Sequence, residues 1–492
     1  MQPTPERAPR RIAVIGGGVA GLATALDLLD RADASGAAIA VTVFERGPAP
    51  GGNLQTIRED GWQLEWGPNG FLDNEPATLR LVARLGLDDD LVRSSDAARR
   101  RFLLVDGRLQ EIPTSPGAFL GSRLLPLGGK LRMARELFVP PRRDLGRAAV
   151  DPATDETIAE FGRRRLGPAF TEIMLDPMVK GIFGGEAEEL SLAAAFPRMV
   201  ELERDHGGLF RAMIALGRQR KREKKSATDA GPSGTLHSFR GGMGQLVGTL
   251  ARTLADDPRA AVLTDADVSS LTRDGDGWTV HVGGAAQGPF AAVVEASPAH
   301  AAARHLRAVD ERLTEVLDRI PYAPMAVIAL GFRRENVGHD LDGFGLLVPG
   351  RENRDLLGAL WTSSIFPGRA PAGHVLLRCM AGGAGNPGVM ELDDAAMTDL
   401  ILSELRPLLH LKGAPAMVRV IRHERAIAQY TRGHLARLAR LDELAAGQPG
   451  LHLTGSSYRG VSVNYCLKEA ELAADRVLAA LARPDAAAAE VV

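Results

Sequence analysis

Arg11-Ile-Ala-Val-Ile15 runs directly into Gly16-Gly17-Gly18-Val19-Ala20-Gly21. The first segment is short, continuously apolar and β-branched, as a strand buried on both faces must be. The second has glycine at the first, third and sixth positions of the dinucleotide fingerprint. The first glycine permits the tight turn, the next lets the backbone approach a pyrophosphate, and the last lets helix and strand pack closely. Residues 22–29 then carry a helical apolar stripe, and Ala40-Val-Thr-Val-Phe44 reads as a second strand. Glu45 ends it at the spacing of a carboxylate that accepts hydrogen bonds from a ribose. The whole is a strand, helix, strand unit of βαβ length.

Outward from this unit, 492 residues predict roughly three folding units at about 150 residues each. A formal net charge of −2 gives no global positive field, which argues against nucleic acid as a partner. Cys379 and Cys466 are far apart and lack CxxC spacing, so neither a disulfide framework nor a thiolate metal site is expected, and a reducing cytoplasm fits. Residues 1–11 hold prolines and arginines without an apolar core and do not read as a secretory signal. No apolar run approaches the ~20 residues of a membrane span. The histidines form no metal-ligand cluster, so no metal is expected.

Beyond Gly70 the chain reads as helical and basic. The clusters Arg99-Arg100-Arg101, Arg142-Arg143 and Arg163-Arg164-Arg165 are expected to be solvated faces, and residues 211–234, with the basic run 218–225, an exposed loop. Residues 263–271 and 278–282 predict two strands of a hairpin turned by Asp274-Gly-Asp-Gly277. Further strands are expected at 326–332, 344–348 and 375–380, on an antiparallel sheet carrying helices. The chain closes with a strand at 451–454, a glycine turn at Gly455 and a helix over 467–481. That helix start would place backbone N–H groups and a partial positive charge against an electron-rich ring.

Two glycine-rich segments, Arg46-Gly-Pro-Ala-Pro-Gly51-Gly52-Asn53 and Gly67-Pro68-Asn69-Gly70, resemble the region of amine-oxidase-type flavoproteins that wraps the pyrophosphate and reaches the flavin. Trp66-Gly-Pro-Asn69, Arg101-Phe102, Phe239-Arg-Gly-Gly-Met243, Gly343-Phe-Gly-Leu-Leu-Val-Pro349, Ala426-Ile-Ala-Gln-Tyr430, Gly433-His434 and Tyr458-Arg-Gly-Val-Ser-Val-Asn464 follow in order. With these, nearly the whole chain is similar to the oxygen-dependent, FAD-containing protoporphyrinogen oxidase family. Tyr465 departs from it, standing where many members have an acidic residue, and Ala428 stands where proline is common.

The resemblance implies an α/β fold: a Rossmann-like FAD-binding domain of the amine-oxidase and p-hydroxybenzoate-hydroxylase type, an antiparallel-sheet substrate domain and a helical subdomain. FAD binding would fall on residues 10–98, 235–305 and 426–485, the helical part on 99–210, where the family docks on membranes, and the substrate domain on 306–425. It implies FAD contacts at Gly16, Gly17, Gly18, Val19, Ala20, Gly21, Glu45, Arg46, Gly52, Asn53, Gly67, Pro68, Asn69, Gly70, Val268, Gly455, Val461, Ser462 and Val463. Substrate contacts would be Arg101, Phe344, Gly345, Leu347, Trp361 and Met380. The flavin would accept hydride from a porphyrinogen and be reoxidised by O2, so the protein's part is placement and electrostatics.

A porphyrinogen is a large apolar macrocycle with propionate arms, which suits apolar walls with few cationic anchors. One recognisable arginine favours protoporphyrinogen, with the more carboxylated coproporphyrinogen III as the alternative. An amine or polyene oxidase of the same fold, and a flavin-free escort protein, are the rivals. Peripheral contact with the inner face of the cell membrane and a homodimer are open options.

Overall fold

The structure, a computed structural model, describes residues 8–222, 234–275 and 277–482. Its centre is a five-stranded parallel sheet in the order Ala260–Leu263, Ile39–Phe44, Arg10–Ile15, Ala292–Glu295, Leu451–Leu453. Alternate residues of these strands face opposite layers. Ile12, Val14, Val41 and Val294 pack on the helices Val19–Ser35 and Val463–Ala482. Ala13, Ile15 and Val293 pack toward Trp278 and Phe290 of a three-stranded antiparallel sheet, Val268–Asp274, Gly277–Val282 and Ala285–Phe290.

The strand expected over 263–271 is therefore two. Asp265 takes a left-handed φ of 52°, which ends the parallel strand before the hairpin begins. Asp276 of the expected turn lies outside the described residues, as do residues 1–7 and 483–485 of the expected terminal segments.

A seven-stranded sheet runs in the order Met417–Ala428, Tyr322–Arg333, His374–Gly382, Leu356–Leu360, Gly345–Leu347, Phe102–Val105, Arg108–Glu111. All its pairings are antiparallel except that of Gly345–Leu347 with Phe102–Val105. The segment 99–210, expected to be helical, thus opens with a hairpin of this seven-stranded sheet, because Phe102-Leu-Leu-Val105 is apolar on both faces and must be covered twice. One face of the sheet, with Ile328, Leu330, Leu377 and Cys379, is sealed by the helix Asp394–Leu409. The other looks toward the glycine-rich turn that begins at Gly67.

Two further expectations fail. The first part of the expected loop 211–234 belongs to the helix Leu209–Arg222, and residues 223–233, with the end of the basic run, lie outside the described residues. Arg164 and Arg165 are not solvated. Arg165 has no exposed surface and reaches Glu136 at 2.9 Å and Glu203 at 3.3 Å, while Arg164 pairs with Glu156 at 2.7 Å and Glu203 at 2.9 Å. Arg142 joins them through its N–H to Glu203 at 3.0 Å. Two of the carboxylates that neutralise the run, Glu136 and Glu203, come from residues distant in sequence.

Candidate active site

Each glycine of the first turn has its own reason. Gly16 has φ of 106° and lies against the backbone of Ala296 and Ser297. A Cβ on Gly21 would collide with the Gly16 carbonyl, so the helix Val19–Ser35 could not sit this close to its strand. Gly18 is the opposite case: a Cβ there meets nothing within 4 Å. It is also the N-cap of that helix, with no side-chain cap and no acidic residue in the first turn. Open space before an uncapped helix N-terminus makes a cradle into which a diphosphate would fit.

Glu45 closes one side of the cradle. Its carboxylate accepts from Gly17 N–H at 2.8 Å and from Gly47 N–H at 2.7 Å. Each oxygen keeps acceptor capacity for a ribose hydroxyl. Gly51 N–H donates to Gly17 O at 2.8 Å, and a Cβ on Gly52 would stand 3.3 Å from Gly18 Cα, so the second glycine segment lies along the first. Arg46 and Asn53 are exposed beside it. Val268 is buried beneath, its carbonyl receiving Arg304 at 3.1 Å.

The turn at Gly67-Pro68-Asn69-Gly70 is pressed between neighbours: a Cβ on Gly67 would strike Asn53 O, and one on Gly70 would strike His237 O. Both amide atoms of Asn69 are buried without a partner among the described residues. Such a group needs hydrogen bonds, and a flavin ring or its substrate can supply them. The opposite rim is residues 455–462, before the helix Val463–Ala482, with Gly455 against Ala296 O and Ala20. Val461 packs at the edge of the core, Val463 is buried, and Ser462 Oγ accepts from Tyr465 N–H at 3.3 Å. The uncapped helix, Glu45, the open face at Gly18 and the orphaned Asn69 amide fit FAD. When bound, FAD supplies the two-electron acceptor.

The expected substrate residues divide. Arg101 lies over the Phe344 ring, 5.2 Å from its centroid, and both line a cavity of about 120 Å3 with Leu72, Ala98 and Leu236. That volume is below the ~300 Å3 of a pocket for a drug-sized ligand, so it can take one substituent of a large substrate. Gly345, with φ of 140°, follows Phe344 beside Arg101, and Leu347, beside Leu103, lies against Gly181 of the helical part. Met380 joins Met325 and Leu357 on the sheet face opposite the sealing helix. Trp361 is not a wall. It has no exposed surface and packs on Phe102 at 5.2 Å and His339 at 4.7 Å in the core beneath the other face. A larger cavity, about 690 Å3, opens by Pro50, Leu54 and Val247 and includes none of the expected substrate residues.

Several residues were not singled out from the sequence. Arg378 Nη2 donates to Gly67 O at 2.7 Å, and His423 Nε2 bonds Trp66 O at 3.1 Å, which ties the substrate sheet to the flavin-side turn. Burial lowers the pKa of His423, so its N–H donates as neutral imidazole. Glu295, fully buried, accepts from Ser297 N–H at 3.0 Å and bonds His305 Nδ1 at 2.8 Å, stiffening the strand end under Gly16. A charge inside an apolar strand run, as at Arg378, was the available signal.

Residues 19–478 match the family model described as flavin containing amine oxidoreductase. The chain is 32% identical to the coproporphyrinogen III oxidase of Propionibacterium freudenreichii subsp. freudenreichii, over 98% of this chain and 93% of the relative. It is 29% identical to the chloroplastic protoporphyrinogen oxidase 1 of Arabidopsis thaliana, over 93% and 86%. A provisionally named protoporphyrinogen oxidase of known structure, from Exiguobacterium sp. 255-15, superposes with a TM-score of 0.78 at 25% identity, over 96% and 99%. With a cradle of the right chemistry and a match across almost its whole length, the chain belongs to the flavin containing amine oxidoreductase family and is an FAD-dependent oxidoreductase.

Proposed function

We propose that the chain oxidises a porphyrinogen, with FAD taking hydride from the macrocycle and O2 accepting the electrons as H2O2, and that the substrate is coproporphyrinogen III. The observation that carries this reading is Arg101 over Phe344, both lining the small cavity. A cation on an aromatic face beside apolar walls suits a propionate on a hydrophobic ring.

Charge favours coproporphyrinogen over the protoporphyrinogen expected from the sequence. Arg93 and Arg99 line the same cavity and share one carboxylate, Asp96, at 3.9 and 3.2 Å. Arg101 has no carboxylate within ion-pair distance among the described residues. The rim is thus cationic, which suits the substrate with more propionates. Peripheral membrane contact is part of the same reading. Leu127, Leu131 and Phe138 are exposed beside Arg135 on the helical part, while no helix of the described residues is long and apolar enough to cross a membrane.

Both porphyrinogens should be prepared anaerobically, and porphyrin fluorescence followed after air is admitted. A kcat/KM for coproporphyrinogen III about tenfold or more above that for protoporphyrinogen is expected, the scale of one modest charge contact. The reverse order would overturn the substrate choice, and no fluorescence from either would overturn the reaction class.

A further inference from the structure

We propose that Arg378 is a second carboxylate anchor of the substrate site, set across the sheet from Arg101 so that the two guanidinium groups hold propionates at opposite edges of one macrocycle. This rests on the porphyrinogen reading above.

The register of the seven-stranded sheet carries the argument. Arg378 pairs with Leu360, and Leu360 pairs with Gly345. Leu346 pairs in parallel with Phe102, so Arg101 continues the row beside Gly345. Directly paired residues share a face, and neighbours along a strand alternate. The next row, Cys379, Ala359, Leu346 and Phe102, lies in the core under the sealing helix. Arg378, Leu360, Gly345 and Arg101 therefore belong to the face turned toward the FAD region. Three strand spacings of about 4.8 Å separate the two arginines along this row, about 14 Å in all. Between them lie Gly345 and Leu360, the latter at the edge of the apolar cluster of Ala98, Ile365 and Phe366, so the row between the two guanidinium groups is uncharged.

Arg378 also lacks what a structural arginine should have. It sits in a strand otherwise apolar between Val375 and Met380. Its one hydrogen bond to the described residues is from Nη2 to the uncharged Gly67 carbonyl, while Nε is buried without a partner. No carboxylate of the described residues lies within 4.0 Å of it; the nearby Glu65 is engaged by Arg369 at 3.5 Å and Thr56 at 2.8 Å. Burial lowers the Arg378 pKa to about 10, with the charge of Glu65 offsetting only part of that cost. Burying a guanidinium without a counter-ion is unfavourable. A turn clamp needs only a neutral donor, so the charge itself points to an anion from outside the chain.

The test uses the full-length, FAD-loaded enzyme and compares coproporphyrinogen III with its tetramethyl ester, which keeps the ring and loses the charges. In Arg378→Gln the KM for the free acid should rise by about 30-fold or more, the scale expected when one partner of a desolvated charge pair is removed. The KM for the ester should follow the wild-type value, so the ratio of the two collapses. Arg378→Lys, which keeps the charge and a donor for Gly67, should recover part of the difference. It carries the comparison if the glutamine variant purifies without flavin. Equal changes for acid and ester, or a shifted flavin midpoint potential with the acid-to-ester ratio intact, would overturn the anchor alone. Failure of the wild-type enzyme to oxidise either porphyrinogen would overturn the underlying reading and the anchor with it.

Discussion

The ring of Tyr430 lies on the imidazole of His434, with centroids 4.2 Å apart and planes 17° from parallel. Both residues end on the same loop. Tyr430 Oη donates to Ser456 O at 2.7 Å and accepts from Gly460 N–H at 2.8 Å, and His434 Nε2 bonds Tyr458 O at 2.8 Å. The stacked pair thereby fixes the loop between Gly455 and the start of the last helix.

Tyr430→Phe should keep the stack and lose both hydroxyl bonds, with a cost of about 1–3 kcal/mol because the loop groups are left unpaired. Weaker FAD retention and a lower melting temperature are expected, measured by titrating apoprotein with FAD and by thermal unfolding. An FAD dissociation constant equal to wild type would show that the loop holds its shape without the clamp.

Burial holds the His434 pKa down to about 4, against an ordinary value of 6.5, and His300 and His452 behave likewise. As pH falls below 6.5 the unfolded chain takes up protons that the folded protein refuses until about pH 4. The unfolded state then binds more protons, so stability is full above about 6.5 and falls as the solution is acidified. The melting temperature should drop between pH 7 and pH 5. His434→Gln, which keeps a donor for Tyr458 O, should show a shallower drop; an identical slope would mean that His434 does not contribute.

Gly18→Val should give a folded, colourless protein. The backbone there has φ of −74°, which any residue adopts, and the added carbons enter open space, so only the approach of a diphosphate is blocked. Absorbance of the purified variant at flavin wavelengths is the measurement, with a melting scan to show folding. A yellow variant would remove Gly18 from the cradle.

Arg101→Ala should raise the Michaelis constant strongly, and Arg99→Ala and Arg100→Ala only slightly. Arg99 already has Asp96, and Arg100 has Glu111 at 2.9 Å and Asp342 at 2.5 Å, all exposed pairs that solvent screens. Removing one partner of a desolvated charge pair costs about 2–5 kcal/mol. Arg101→Lys should recover only part, since an ammonium lacks the bidentate fork. Flavin content should stay normal in all four. Equal behaviour of the three alanine variants would make Arg101 a surface residue.

Arg165→Met should destabilise the helical part by about 3–5 kcal/mol, because Glu136 and Glu203 would remain buried with less positive charge around them. Denaturant unfolding is the measurement. A change below 1 kcal/mol would mean that water enters and solvates the acids.

Local signals explain what could be read from the sequence. The strand at 11–15, the turn at 16–21 and the helix after it are adjacent in the chain, and Gly21 is demanded by the Gly16 carbonyl five residues before it. Arg164 and Arg165 were unreadable for the reason that they looked solvated: Glu136, Glu156 and Glu203 reach them only through tertiary packing. Trp361 shows the limit of pattern at a single residue, since a large aromatic at a strand end serves a pocket or a core equally well and only the sheet's pleat decides. Arg378 required the register, which no single strand contains.

The parallel sheet that begins with Arg10–Ile15 is finished by Leu451–Leu453, and the hairpin 102–111 waits for Gly345–Leu347 before its open edge is covered. A ribosome making this chain therefore releases the diphosphate turn long before it has made the rim at Gly455. During that interval the half-built sheets present bare edges, the kind of surface on which unfinished chains aggregate. The parallel sheet can close only once residue 453 is made, so a chain stopped anywhere before residue 451 should be a client for chaperones rather than a weakened enzyme.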